Sequence, residues 1–185
     1  MAIRNSTTRW GTLSQFLHWL IVVLIITQVI LGNIAADLPI GMHKLAMFAR
    51  HKSVGLTILG LAVLRLAWRW VNPTPLLPGT LKPYERVLAG LTHAGLYVLL
   101  FAMPLTGWMM TSARGFPVSW FGYFQLPDFV PKNDTLYTVM KDTHDTLAVV
   151  LYVIVSLHVL AALKHHFVLK DEVLRRMLPF TNKPD

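Results

Sequence analysis

Four long apolar segments constrain the fold of this 185-residue chain more than any other feature of its sequence. They span residues 14–34, 53–71, 84–111 and 144–168. Each has about the 20 residues that a helix needs to cross the hydrocarbon core of a bilayer. A composition of 54% hydrophobic and 14% charged residues is that of an integral membrane protein. We therefore predict one all-α domain, residues 1–185, built as a transmembrane four-helix bundle.

The segments between these helices carry residues that interrupt a helix or suit a membrane surface. NPTPLLPGTLKP joins the second and third helices, and its prolines and glycine predict a short loop. The longer loop before the fourth helix has three prolines and several aromatic residues of the kind found at membrane interfaces. LPIGMHKLAMFARHK, between the first two helices, is predicted to form a short amphipathic helical turn on the surface.

Basic residues predict the orientation of the bundle. With four spans, both termini and the second loop share one side, which carries Arg4, Arg9, Arg65, Arg69, Lys82, Arg86, Lys164, Lys170, Arg175, Arg176 and Lys183. The opposite side carries fewer, namely Lys44, Arg50, Lys52, Arg114, Lys132 and Lys141. The positive-inside rule therefore places both termini in the cytoplasm. The excess of 17 Lys and Arg over 9 Asp and Glu is explained by this rule and does not indicate nucleic-acid binding. A cleaved signal peptide remains a weaker alternative for the first segment, whose apolar part is longer than such signals usually are.

Histidine is the strongest metal-ligand type available to the chain. There is no cysteine, which excludes disulfides, thiolate metal sites, iron–sulfur clusters and thioether-linked haem. Eight histidines are present. The predicted topology puts His18 and His158 in the inner half of the membrane and His51 and His144 near the outer face.

The spacing of His144 and His158 along the fourth helix fixes both their depth and their direction. Fourteen residues correspond to about four helical turns, so the two side chains project from nearly the same face about 21 Å apart. Each level thus contains one histidine of the fourth helix and one from another helix. Facing imidazoles in a helical bundle are typical of bis-histidine haem sites, and two levels predict two haems.

Histidines in membrane helices also have uses other than binding haem. A lone histidine in a membrane helix is more often a packing or proton-relay residue, so a haem-free transporter or proton channel remains an alternative. Zinc or copper ions need ligands clustered at one point, whereas these histidines separate into two levels. Matched pairs at two depths favour haem over either alternative.

Several motifs resemble those of the bacterial cytochrome b561 family. They are FLHWL around His18, ARHKSVGLTILGLAVLRLAWR and NPTP in and after the second helix, GLTHAGLYVLLFAMPLTG in the third, and THDTLA, SLHVLAALKHHF and LKD in and after the fourth. The resemblance covers nearly the whole chain. It implies two b haems, with His18 and His158 on the inner iron and His51 and His144 on the outer iron.

Within that family, the chain is most similar to members that act as superoxide oxidases. The resemblance implies an enzyme of the bacterial inner membrane that oxidises periplasmic superoxide and reduces ubiquinone. A cytochrome b electron-transfer subunit of a hydrogenase or dehydrogenase is the alternative, and a redox partner protein or a homo-oligomer is not excluded.

Further residues are candidates for the two substrate sites. His165 lies two turns beyond His158 and is predicted to contact quinone, with Trp19 and Arg86 as weaker neighbours. His93 and Arg65 are predicted contacts of the inner haem or the quinone. Superoxide, an anion, would be attracted by the basic residues of the outer side, namely Lys44, Arg50, Lys52 and Lys141.

Overall fold

A computed structural model describes residues 2–77, 79 and 81–179, so Lys183, counted above, lies outside them. Four helices dominate these residues: α1 (Thr12–Asp37), α2 (Met42–Trp70), α3 (Pro83–Ala113) and α4 (Asp134–Leu163). A π-helical segment, Lys164–Leu169, continues α4, and a 3₁₀ turn, Arg175–Met177, follows. All four helices are long and apolar enough to cross a membrane. The predicted all-α membrane bundle is confirmed.

Two helices begin well before their predicted positions. The predicted surface turn is instead the start of α2, which begins at Met42, and α4 begins at Asp134 rather than near His144. The prediction considered only the apolar residues, but charged residues do not end a helix that extends beyond the hydrocarbon core. The start of α4 is set by Asn133, whose side chain accepts a hydrogen bond from the Leu136 amide at 2.8 Å.

A short β-hairpin, not predicted from the sequence, lies between α3 and α4. Strands β1 (Val118–Trp120) and β2 (Phe124–Leu126) pair antiparallel. The hairpin is bound to α2, because Ser53 Oγ donates to the Ser119 carbonyl at 3.0 Å and accepts from the Phe121 amide at 2.9 Å. Trp120 Nε1 also donates to Thr57 Oγ1 at 3.1 Å. We call this end of the bundle the hairpin end.

The helices pack in chain order and leave one side of the bundle open. The main contacts are α1 with α2, α2 with α3, and α3 with α4. Among the described residues, α4 packs mainly on α3 and makes little backbone contact with α1 or α2. No residue of α4 is buried. We call the space between α4 and the α1–α2 pair the α4 gap.

The N-terminal segment, the α2–α3 loop and the described residues after α4 meet at the other end of the bundle, which we call the terminal end. Asn5 Nδ2 donates to the Pro73 carbonyl at 3.0 Å. Residues 171–178, which we call the C-terminal strap, cross this end and are bound to α1: Gln15 Nε2 donates to the Arg176 carbonyl at 3.0 Å, and Trp19 Nε1 to that of Met177 at 2.8 Å. The three segments therefore share one side, as predicted, while the compartment they face stays a prediction.

Candidate functional site

The structure contains two histidine pairs, and in each pair the two rings face each other across the α4 gap. At the terminal end, the ring centroids of His18 (α1) and His158 (α4) lie 6.3 Å apart, with an angle of 74° between the ring planes. At the hairpin end, those of His51 (α2) and His144 (α4) lie 6.4 Å apart, with an angle of 75°. The pairings are the ones predicted from the sequence.

The separation of the rings fits one iron between each pair. A histidine nitrogen binds a metal at about 2 Å and lies about 1 Å from its ring centroid, so two imidazoles on opposite sides of one metal have centroids about 6 Å apart. Among the described residues, no group of three His, Cys, Asp or Glu side chains could hold a metal ion. A bis-histidine haem needs only two protein ligands, which each of these pairs provides. The residues present therefore fit b-type haem.

Hydrogen bonds fix the rings of the pair at the hairpin end. Nδ1 of His51 lies 3.2 Å from the Gln28 carbonyl oxygen, which can only accept. Nδ1 of His144 lies 3.1 Å from Thr106 Oγ1, whose own hydrogen is donated to the Ala102 carbonyl at 2.8 Å. Both Nδ1 atoms therefore carry the proton, and both Nε2 atoms keep a lone pair for a metal. Metal-bound histidines are commonly oriented in this way.

Two glycines make room for these rings. A Cβ at Gly32 of α1 would lie 3.0 Å from Cε1 of His51. A Cβ at Gly107 of α3 would lie 3.3 Å from Cε1 of His144. Gly32 is one helical turn beyond Gln28, so the missing side chain lets the His51 ring reach the Gln28 carbonyl. Sequence reasoning did not identify either glycine.

The pair at the terminal end is surrounded by aromatic rings and positive charge. His93 lies 5.5 Å from His158 between ring centroids, and Trp19 lies 5.3 Å from His18. Arg65 is close enough to interact electrostatically with His18, His93 and His158. It also lines a cavity with Arg69, among aromatic and small polar side chains of the terminal end. The predicted neighbours His93 and Arg65 are thus brought to this pair.

Each of the three residues predicted to contact quinone makes a hydrogen bond of its own with another part of the chain. His165 Nδ1 lies 2.5 Å from Asp171 Oδ2. Trp19 instead donates to the C-terminal strap, and Arg86 Nη2 donates to the Gly79 carbonyl at 3.3 Å. Sequence reasoning missed Asp171 as a partner of His165, although the residue belongs to the LKD motif.

The four basic residues predicted to attract superoxide differ in their contacts. Lys44 Nζ donates to the last carbonyls of α1, and Lys52 Nζ donates to the Pro117 carbonyl at 3.2 Å. Lys141 forms a salt bridge with Asp145 at 2.6 Å. Arg50 is exposed and forms no salt bridge with a described residue. Arg50 and Lys52 flank His51 in the sequence. Neither forms a salt bridge with a described residue, so they place uncompensated positive charge beside the pair at the hairpin end.

Comparison with known proteins identifies the family. Residues 9–180 match the family described as prokaryotic cytochrome b561. The chain is 33% identical over 181 residues to "Cytochrome b561 homolog 2" of Escherichia coli (strain K12), covering 96% of this chain and 95% of the relative. It is also 33% identical over 175 residues to "Probable superoxide oxidase CybB" of Yersinia pestis, covering 92% and 96%. "Cytochrome b561 homolog 1" of Escherichia coli (strain K12) is 27% identical over 172 residues, with 92% and 97% covered.

The family assignment agrees with the geometry described above. The match extends over all four helices and includes all four paired histidines. The chain therefore belongs to the prokaryotic cytochrome b561 family, as a bacterial membrane electron-transfer protein with b-type haem.

Proposed function

We propose that the protein is a superoxide oxidase of the inner membrane, which oxidises periplasmic superoxide to dioxygen and reduces ubiquinone to ubiquinol. Two superoxide ions supply the two electrons for one quinone, and two protons complete the ubiquinol. The observation that carries this proposal is that one helix, α4, holds His144 and His158 about 21 Å apart, each facing a histidine of another helix. Redox groups at both ends of a membrane bundle suit electron transfer between its two faces.

Four histidines would hold the two haems of this proposal. His51 and His144 would bind one iron through Nε2, and His18 and His158 would bind the other. When bound, b-type haem supplies a one-electron carrier at each of these two depths. Arg65, which lines the cavity near the terminal-end pair, would form ion pairs with haem carboxylates.

Arg50 and Lys52 would attract the superoxide anion to the hairpin end. Both are adjacent to His51, and Arg50 is exposed without a carboxylate partner among the described residues. Positive charge next to an opening raises the local concentration of an anion and speeds its encounter. Lys44 and Lys141 contribute less, because their charges already interact with the end of α1 and with Asp145.

His165 would bind quinone at the terminal end. It follows His158 by seven residues, or about two turns, which puts it on the same side of the bundle and closer to the terminal end. A protonated imidazole there can donate a hydrogen bond from Nε2 to a quinone carbonyl. His93 lies beside His158 and would line the part of the quinone site nearest the terminal-end pair.

The named relatives support this proposal to different extents. The Yersinia pestis relative is named as a probable superoxide oxidase, whereas the equally similar Escherichia coli relative is named only by its family. An electron-transfer subunit of a larger enzyme is the competing function, and a direct reaction with superoxide distinguishes the two.

Superoxide should reduce the purified protein without any partner protein. We expect the b-haem absorption bands of the oxidised protein to convert to the reduced form with a rate constant of about 10⁸ M⁻¹ s⁻¹ at low ionic strength, because anion steering permits near-diffusional encounter. Stopped-flow mixing with a superoxide solution measures this rate. The absence of rapid haem reduction would favour the electron-transfer subunit.

The Arg50→Gln variant tests the origin of the steering. We expect its superoxide rate to fall several-fold at low ionic strength, with unchanged haem content and a weaker dependence on salt. Arg4→Gln is the matched control, since it removes the same charge from an exposed residue at the terminal end. Equal rates in the two variants would assign the effect to net charge alone.

The glycines beside the hairpin-end rings provide a test of haem binding. In Gly32→Ala, the new methyl group would displace His51, and we expect the affinity of this site for haem to fall about 10- to 100-fold. Gly107→Ala should have a smaller effect, because its Cβ contact with His144 is longer. Gly90→Ala is the control, since no atom lies within 4 Å of its added Cβ. The transfer of haem to apomyoglobin measures the loss, and identical transfer from Gly32→Ala and Gly90→Ala would contradict the assignment.

The proposed orientation can be tested with single cysteines, because the natural chain contains none. Tyr123→Cys places a thiol at the exposed tip of the hairpin, and Thr74→Cys places one in the α2–α3 loop. We expect a membrane-impermeant maleimide to label Tyr123→Cys in spheroplasts, and Thr74→Cys only after the membrane is opened. The reverse pattern would place the termini in the periplasm.

A further inference from the structure

His165 Nδ1 and Asp171 Oδ2 form a short side-chain hydrogen bond of 2.5 Å. The two side chains are only 14% and 17% exposed. They lie at the terminal end, where the proposed function puts the quinone. A half-buried imidazole–carboxylate pair at this position can take part in the reaction of the quinone as well as end the helix.

The backbone is shaped to bring Asp171 back to His165. The helix widens to π geometry over Lys164–Leu169, and Lys170 then adopts a left-handed conformation with φ 53°. As a result, the Asp171 amide donates to the His165 carbonyl at 3.1 Å. The second carboxylate oxygen of Asp171 accepts from the Val173 amide at 3.0 Å. Irregular π turns within helices are frequent at functional sites.

This geometry determines which nitrogen of the His165 ring donates to Asp171. The Asp171 carboxylate accepts the hydrogen bond, so Nδ1 of His165 carries the proton and Nε2 is the atom left for a ligand. The neighbouring carboxylates are otherwise engaged: Glu85 pairs with Lys164 at 3.1 Å, and Glu172 with Arg175 at 3.2 Å. Asp171 is therefore the carboxylate that compensates a positive charge on His165.

The C-terminal strap holds this carboxylate in place from the other side. Beyond Asp171, the carbonyls of Arg176 and Met177 accept hydrogen bonds from Gln15 and Trp19 of α1. Trp19, expected from the sequence to contact quinone, thus has a structural contact with the strap. Both ends of the segment that carries Asp171 are fixed to the bundle.

We propose that Asp171 is a positioning residue that makes His165 the proton donor to the quinone, an inference that rests on the proposed function. As the quinone accepts an electron, the N–H bond at Nε2 of protonated His165 breaks and an O–H bond forms on a quinone oxygen. Nδ1–H stays hydrogen-bonded to Asp171, and Nε2 regains a proton from water at the terminal end. Repetition supplies the second proton, and the two electrons come from the two superoxide ions that are oxidised.

Oxidation of the reduced protein by ubiquinone-1 isolates this half of the reaction, since dithionite can replace superoxide as the reductant. We expect Asp171→Asn and His165→Gln to slow haem reoxidation at saturating quinone at least about tenfold, because each impairs a general acid. Their absorption spectra and KM for ubiquinone-1 should change little, since both variants keep hydrogen-bonding groups at the site. The solvent deuterium isotope effect on reoxidation should increase, and Asp171→Glu should restore much of the rate. His166→Gln is the matched control, because it makes the same substitution at the adjacent residue.

The outcomes separate the inference from the proposed function. If wild-type protein is reoxidised rapidly and Asp171→Asn and His165→Gln match it, the inference is overturned and the proposed function stands. A slower Asp171→Asn without a larger isotope effect would assign Asp171 a structural role only, which also overturns the inference. If Asp171→Asn loses its haem, the reoxidation rates and isotope effects of His165→Gln and Asp171→Glu test the inference instead. Failure of ubiquinone-1 to oxidise the reduced wild-type protein would overturn the proposed quinone reaction, and this inference with it.

Discussion

The approach of paired imidazoles across the α4 gap is the constraint on which the rest of the structure depends. Each pair keeps its ring centroids 6.3 or 6.4 Å apart, a separation that suits an iron between the two rings. Helices that closed this gap by apolar packing would exclude the macrocycle. The bundle therefore packs α1 to α2, α2 to α3 and α3 to α4, while α4 stays apart from α1 and α2.

The two pairs are supported by different means. At the hairpin end, the Gln28 carbonyl and the Thr106 hydroxyl orient the rings, and glycines admit them to the neighbouring helices. At the terminal end, the rings of His18 and His158 have aromatic and histidine neighbours and the charge of Arg65 close by. Hydrogen bonds to axial ligands and nearby charge both change haem redox potentials. The potentials of the two proposed haems would thus be set by different means.

Much of this arrangement could be predicted from the sequence, because it depends on two regular properties. Hydropathy indicated four spans, and the topology of these spans gave each histidine a depth that paired His18 with His158 and His51 with His144. Helical periodicity put His144 and His158 on one face. The starts of α2 and α4 were misplaced because hydropathy does not detect helix outside the bilayer. Gly32 and Asp171 were missed because their roles arise from contacts with distant or folded-back chain, which no local pattern encodes.

The haem-to-protein ratio of the purified protein tests most directly whether each histidine pair holds one haem. The pyridine haemochrome assay gives this ratio against protein determined by amino-acid analysis. Two independent pairs require two b haems per chain in the wild type and one in His51→Ala, because that substitution removes a ligand from the hairpin-end site alone. A ratio of one in the wild type, or an unchanged ratio in His51→Ala, would contradict the assignment of haem to both pairs.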